Sequence, residues 1–177
     1  KIFVINQDNR ILCLNSADGS VVWDIATIQT FIKSQNLLGL AITKNGNLIA
    51  LNTAGDVLKV NAKNGHIVWL MNSLISTSEY ETDFFKSSDI VVKGNDVIFS
   101  SVSSTFSLNL NNGYINWIAK PRSSNTPIIA GNNIFLVTDG GYFVNLDRET
   151  GKIVFSTNIL KVLKKRARRT GISGYVM

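Results

Sequence analysis

The chain has 177 residues, 45% of them hydrophobic and 17% charged, with two prolines, the make-up of one globular unit rather than a fibrous or disordered chain. No apolar run reaches the roughly eighteen residues of a membrane-spanning helix, and the single Cys13 excludes an intrachain disulfide and a cysteine-rich metal site. Of the 18 basic and 12 acidic residues that set a net charge of +6, six cations (Lys161, Lys164, Lys165, Arg166, Arg168 and Arg169) fall without an acid between Ser156 and Met177. The excess charge is one local patch.

Taken in order, Lys1 to Ile5 reads as a strand, Asn6 to Asn9 as a polar turn, and Arg10 to Leu14 and Ser20 to Asp24 as returning strands. Residues Ile25 to Asn36 carry scattered apolar positions (Ile28, Phe31, Ile32), and a short helical turn is expected there. A second unit has four strands: Leu38 to Thr43, then the Asn45-Gly46 hairpin signal, Asn47 to Leu51, Val57 to Val60 and His66 to Leu70. After the polar connection Met71 to Ser88, a third unit runs Asp89 to Lys93, Asp96 to Ser100, Thr105 to Leu110 and Tyr114 to Ile118. The fourth runs Pro127 to Ala130, Ile134 to Val137, Tyr142 to Leu146 and Lys152 to Ser156. The units are thus expected at residues 1–24, 38–70, 89–118 and 127–156, with 171–177 as the opening strand of a further or closing one.

One pattern organises these units. Gly19, Gly65, Gly113 and Gly151 lie 46, 48 and 38 residues apart, and each is followed four residues later by a large aromatic: Trp23, Trp69, Trp117 and Phe155. Four residues before each glycine stands Asn15, Asn61, Asn109 or Asp147, preceded by Leu14, Val60, Leu108 or Leu146. An Asn or Asp side chain closes a local turn, and the glycine supplies positive φ at a bulged hairpin end. One such hairpin cannot bury both its faces, so neighbouring copies must stack, with the aromatic as the plug between them. A period near forty with several short strands per repeat is that of propeller blades. The eight glycines and aromatics are therefore expected to be structural rather than ligand-stacking, and Cys13, in mid-strand, a small buried hydrophobe.

These turns resemble the tryptophan-docking repeats of quinoprotein-type (PQQ-like) β-propellers, whose pattern is roughly Ala-x-Asp-x-x-Thr-Gly-x-x-x-Trp. Asp147, Thr150 and Gly151 match it best, though Phe155 replaces the Trp; the other three units keep Trp but carry Asn at the Asp position. Cys13, Lys59, Ser107 and Asn145 stand where the pattern has Ala. The resemblance implies an all-β propeller of four-stranded antiparallel blades, about four in this chain, half of an eight-bladed ring. Within that group the short cofactor-free repeats are most similar to the BamB family of outer-membrane protein assembly lipoproteins. That likeness implies a periplasmic, non-enzymatic scaffold, outer-membrane anchored at full length, whose protein partner is the barrel-assembly machinery.

The alternative is a fragment of a quinoprotein dehydrogenase or another ligand-binding propeller. Such enzymes would bring a vicinal disulfide and an acidic Ca²⁺ site; this chain has no Cys-Cys pair and no dense acidic cluster. Its one histidine, His66, follows a turn glycine and is expected to face solvent, and Asp139 in Asp139-Gly140-Gly141 is read as a hairpin turn. No catalytic residue, cofactor site or metal site is therefore assigned. The basic patch is a candidate partner-binding surface, for an acidic protein or an anionic lipid surface. Nucleic acid is not expected, since no stacking aromatics interleave those cations. Opening at Lys1 without a signal pattern, the chain reads as a mature or trimmed piece. The three-stranded first unit and the strand-like end predict either a homodimer or part of a longer propeller.

Overall fold

Short apolar strands joined by turns of a few residues can pair only with their sequence neighbours, in antiparallel fashion. The computed structural model describes residues 1–30, 33–34, 38–74, 84–101, 104–161 and 175, and in it these stretches form four such meanders. No helix is present among the described residues, and so none long and apolar enough to cross a membrane. The chain divides into two compact units, Lys1–Lys86 with Asn111–Gly113, and Ser87–Leu110 with Tyr114–Met177.

In the first unit, β1 (Ile2–Ile5), β2 (Arg10–Leu14) and β3 (Val21–Ala26) make a three-stranded sheet. After β4 (Lys33–Ser34), the strands β5 (Leu40–Ile42), β6 (Asn47–Leu51), β7 (Asp56–Asn61) and β8 (Ile67–Asn72) make a four-stranded one. A short β9 (Phe84–Phe85) then runs parallel to β4. The helical turn expected between Ile25 and Asn36 is not found. Ile25 and Ala26 extend β3, Lys33 and Ser34 are strand, and no described residue between them is helical. The β-branched run Thr27, Ile28, Thr30 disfavours a helix, and its hydroxyls are taken: Thr27 Oγ1 donates to the Asn9 carbonyl at 2.6 Å, and Thr30 Oγ1 meets Thr53 Oγ1 at 2.7 Å. Phe31 and Ile32 lie outside the described residues.

The second unit holds two four-stranded sheets. One is β10 (Val91–Lys93), β11 (Asp96–Ser101), β12 (Ser104–Asn109) and β13 (Ile115–Ala119); the other is β14 (Ile128–Ala130), β15 (Asn133–Val137), β16 (Tyr142–Asp147) and β17 (Ile153–Asn158). Of the segment 171–177, expected to be a strand, only Tyr175 is described; burial raises the pKa of its phenol.

Each unit has its own core between its two sheets. In the first, Ile11 packs with Leu48, Ala50, Leu58 and Val60, and Phe3 and Trp23 lie against that group. In the second, Ile98, Trp117 and Ala119 of one sheet meet Ile134, Leu136, Val144 and Leu146 of the other. Full burial of each such Leu or Ile stabilises by ~1.5–3 kcal/mol. Inner strands bury both faces: Ile49 and Leu51 are as inaccessible as Leu48 and Ala50. The last strand of each sheet is a hydrogen-bonding edge, and on β3, β8 and β17 it leaves Val21, Val22, Ile67, Val68, Ile153 and Val154 exposed.

Candidate functional site

The repeated turn is built alike at Gly19, Gly65 and Gly151. The N–H of Gly19, Gly65 and Gly151 donates to the carbonyl of Asn15, Asn61 and Asp147 at 2.9, 2.8 and 2.8 Å. The side chain of that Asx closes the turn from inside: Asn15 Oδ1 accepts from Ala17 N, Asn61 Oδ1 from Lys63 N, and Asp147 Oδ1 from both the N–H and the hydroxyl of Thr150. Gly19, Gly65, Gly113 and Gly151 all lie between φ +68 and +78°, which a side chain would strain. The register shifts by one residue just upstream, at Cys13/Leu14, Lys59/Val60, Ser107/Leu108 and Asn145/Leu146, so each turn carries a bulge.

The aromatic of one repeat meets the glycine of the next. A Cβ on Gly65 would fall 3.1 Å from the Trp23 ring, one on Gly113 2.7 Å from Trp69, and one on Gly151 2.5 Å from Trp117. The bare glycine backbone is what lets the indole lie flat on the turn. Trp23 Nε1 donates to the Ala62 carbonyl at 3.2 Å, and Trp117 Nε1 to the Arg148 carbonyl at 2.8 Å. Trp117 is buried, whereas Trp23 and Trp69 stay half-buried. Among the described residues a Cβ on Gly19 would meet nothing within 4 Å, and Phe155 is 41% exposed.

A second set of turns has no aromatic signal; the turn at Asp139-Gly140-Gly141 is read in the sequence, but its likeness to the one at Gly55 is not. Gly55 and Gly141 sit at φ +76 and +77°, and an added Cβ would strike Leu74 at 2.5 Å and Leu160 at 2.3 Å. The chain leaving the blade folds back over each, with Ser73 N donating to Gly55 O and Ile159 N to Gly141 O. Asn72 and Asn158 each accept the N–H two residues on, holding the leucine in place. In the first sheet Asn9, at φ +59°, takes the glycine position, and its Nδ2 donates to the Ile28 carbonyl. The interval is 19 residues in each case, a spacing visible in the sequence once these glycines are aligned.

The polar groups near these turns are engaged with each other. Buried Asp56 accepts from Asn52 Nδ2 at 3.1 Å and Asn72 Nδ2 at 2.7 Å. Asp139 accepts from Ser124 N and Oγ and lies 3.4 Å from Arg122. Arg10 pairs with Asp24. A cleft of about 530 Å³ in the second unit is lined by Asp96, Asn109, Asn116, Asn132, Arg148 and Glu149. Across it Arg148 Nε donates to Asp96 Oδ2 at 2.8 Å, and its Nη2 donates to the Lys93 carbonyl. That pair neutralises Arg148 and Asp96, and Glu149 leaves the lining with one negative charge in excess. The hydrogen bonds from Thr150 lower the pKa of Asp147 below the usual carboxylate value.

His66 is exposed, and Cys13 is free and fully buried. Asn145, at the consensus Ala position, has a buried Oδ1 with no hydrogen-bond partner among the described residues. No group of three or more His, Cys, Asp or Glu side chains able to hold a metal occurs among the described residues. Of the basic patch, Lys161 is exposed; Lys164, Lys165, Arg166, Arg168 and Arg169 lie outside the described residues.

The chain is 23% identical over 163 residues to the uncharacterized protein RP232 of Rickettsia prowazekii, covering 89% of this chain and 39% of that protein. It therefore spans about two-fifths of that relative's length. Its fold is similar to that of BamB from Moraxella catarrhalis, with TM-score 0.63 and 17% identity over 88% of this chain and 45% of that one. It is likewise similar to a quinohemoprotein alcohol dehydrogenase of Pseudomonas putida, with TM-score 0.66 and 10% identity over 88% and 32%. These likenesses make the four meanders blades of an all-β propeller. Residues 1–157 match the family described as outer membrane protein assembly factor BamB, and the chain belongs to that family.

Proposed function

We propose that this chain is a non-enzymatic protein-interaction scaffold that assists outer-membrane β-barrel assembly from the periplasm, anchored at the outer membrane in the full-length protein. The observation that carries this reading is the outer edge of the blades. There β3, β8 and β17 stand last in their sheets, with no further strand beside them among the described residues, and expose Val21, Val68 and Val154, a surface suited to a partner's strand. The glycine–aromatic contacts hold blade to blade and leave these edges free for a partner. Blades from a second copy or from a longer chain extend the propeller. The partner is the barrel-assembly machinery, and the basic segment around Lys164, Lys165 and Arg166 adds attraction for an acidic or anionic surface.

The test is calorimetric titration of the purified chain with the central barrel-assembly subunit, at low and high salt. Binding should weaken as salt rises, and further when Lys164, Lys165 and Arg166 are reversed to Glu. No heat at any salt, together with visible quinone absorbance in the purified chain, would replace the scaffold with the dehydrogenase-fragment reading.

A further inference from the structure

We propose that Asn45-Gly46, at the tip of the β5–β6 hairpin, is a covalent modification site. Its Asn45 carboxamide is converted through a cyclic imide to isoaspartate, a residue of the class that carboxyl methyltransferases take as substrate. The chain holds three Asn-Gly pairs: Asn45-Gly46, Asn64-Gly65 and Asn112-Gly113. Their glycines share one backbone class, with φ of +70, +78 and +75°. The three pairs are alike in sequence and in local conformation, and they differ in what surrounds them.

Ring closure has two needs. The glycine nitrogen must swing onto the Cγ of the preceding asparagine, and the carboxamide must be free to meet it. Glycine has no Cβ to block that swing, so only the neighbours decide. At Gly65 and Gly113 the space is taken: an added Cβ would fall 3.1 Å from the Trp23 ring and 2.7 Å from the Trp69 ring. Gly65 is half-buried and Gly113 buried. The Asn64 side chain is held as well, its Oδ1 accepting the His66 N–H at 3.1 Å. At Gly46 an added Cβ would meet nothing within 4 Å, and Lys44, Asn45 and Gly46 are all exposed. Among the described residues no hydrogen bond holds the Asn45 side chain.

The chemistry needs only water and hydroxide. The Gly46 N–H leaves its 3.0 Å bond to the Thr43 carbonyl and gives its proton to hydroxide. The nitrogen then adds to Asn45 Cγ. A new N–Cγ bond forms, the Cγ–Nδ2 bond breaks, and the carboxamide nitrogen departs as ammonia with a proton from water. Nothing is oxidised or reduced. Water next opens the imide. Addition at Cγ returns aspartate; addition at the Asn45 α-carbonyl breaks its bond to the Gly46 nitrogen, and the chain then runs through Cβ and Cγ as isoaspartate.

The product alters the hairpin. Either outcome places a carboxylate beside Lys44, and isoaspartate adds one carbon to the backbone of a tight turn. Three bonds close that turn: Gly46 N–H to the Thr43 carbonyl, Thr43 N–H to the Asn47 carbonyl at 2.8 Å, and Asn47 N–H to Thr43 Oγ1 at 3.0 Å. The strand it delivers, β5, pairs through Leu40, Ala41 and Ile42 alone. A lengthened turn therefore loosens the least anchored strand of that sheet.

This inference is independent of the scaffold reading. The experiment ages the purified chain at mildly alkaline pH, folded in buffer and unfolded in concentrated urea. Peptide mass spectrometry follows the gain in mass as each amide becomes an acid, and an isoaspartate-specific carboxyl methyltransferase labels the product. In the folded chain Asn45 should convert roughly tenfold or more faster than Asn64 and Asn112, which react only when the turn opens locally. In urea the three rates should converge, because the protection is structural. Asn45→Gln, at an exposed position, should remove most of the methyl labelling of the folded chain. A folded chain in which Asn45 converts no faster than Asn64 or Asn112 would overturn the proposal. So would Asn45 staying intact over a period in which the urea-treated chain converts it.

Discussion

Gly151 and Gly141 belong to one blade and share one backbone demand, φ of +68 and +77°, but they are covered from opposite sources. Gly151 lies under Trp117, which arrives from the strand β13 of the preceding blade; Gly141 lies under Leu160, which its own blade folds back after β17. The first contact crosses between blades and carries a hydrogen bond to a carbonyl of the turn. The second closes a blade on itself and is apolar. The absent Cβ thus serves two purposes: cohesion between neighbours, and sealing of the blade's own end.

The comparison breaks hardest at the ring that crosses between blades. Trp117→Ala should cost about 3–5 kcal/mol, because it empties a site buried among Ile98, Ile134 and Leu146 and strands the Arg148 carbonyl. Gly151→Ala should follow at about 2–4 kcal/mol, combining positive-φ strain with a Cβ 2.5 Å from the indole. Chemical denaturation midpoints check both. If Gly151→Ala proved no worse than Gly46→Ala, which meets only open space, the ring would not be pressed on the turn and the distinction would fail. The blade-sealing contact should be milder. Leu160 is half-buried, so Leu160→Ala should cost about 1–2 kcal/mol, and faster amide exchange should be confined to the turn around Gly141.

How much of this was legible in the sequence follows the same division. The glycine-to-aromatic interval recurs with large, rare side chains, so the blades, their turns and the three-stranded first sheet could be read directly. That each ring meets the glycine of the following repeat could not be seen at single-residue detail, because the interval from Trp23 to Gly65 differs from that of Trp117 to Gly151 by the length of the intervening link. The leucine seals at Leu74 and Leu160 were missed for a different reason. Leucine is common enough that a 19-residue recurrence carries no signal until the positive-φ residues Asn9, Gly55 and Gly141 are aligned. The expected helix after Ile25 failed because scattered apolar residues were weighed above the hydroxyls of Thr27 and Thr30, which tie that segment to neighbouring turns.

The smallest expected effect lies in the turn chemistry itself, where the fourth blade differs from the other three by a carboxylate. Thr150 donates to Asp147 Oδ1 from its hydroxyl at 2.7 Å and its N–H at 2.8 Å, and these bonds to the charged form lower the carboxyl pKa. A carboxylate depressed in the folded state contributes stability that is present above its unfolded pKa and lost as pH falls through the folded value. That contribution should fade below about pH 4. Asp147→Asn keeps an amide oxygen for the same two donors, as Asn61 Oδ1 already serves Lys63 N, but removes the titration. The variant should match the parent closely at pH 7, apart from the Asn132 Nδ2 bond to Asp147 Oδ2 that an amide nitrogen cannot accept. Its stability should fall less between pH 5 and pH 3, the difference between the two proteins isolating Asp147 from Asp18, whose carboxyl is lowered in the same direction by Ser20. Thermal melts at the two pH values make the measurement. Identical acid sensitivity in parent and variant would show that Asp147 is held no better than in the unfolded chain, and that the fourth turn relies, like the Asn turns, on geometry alone.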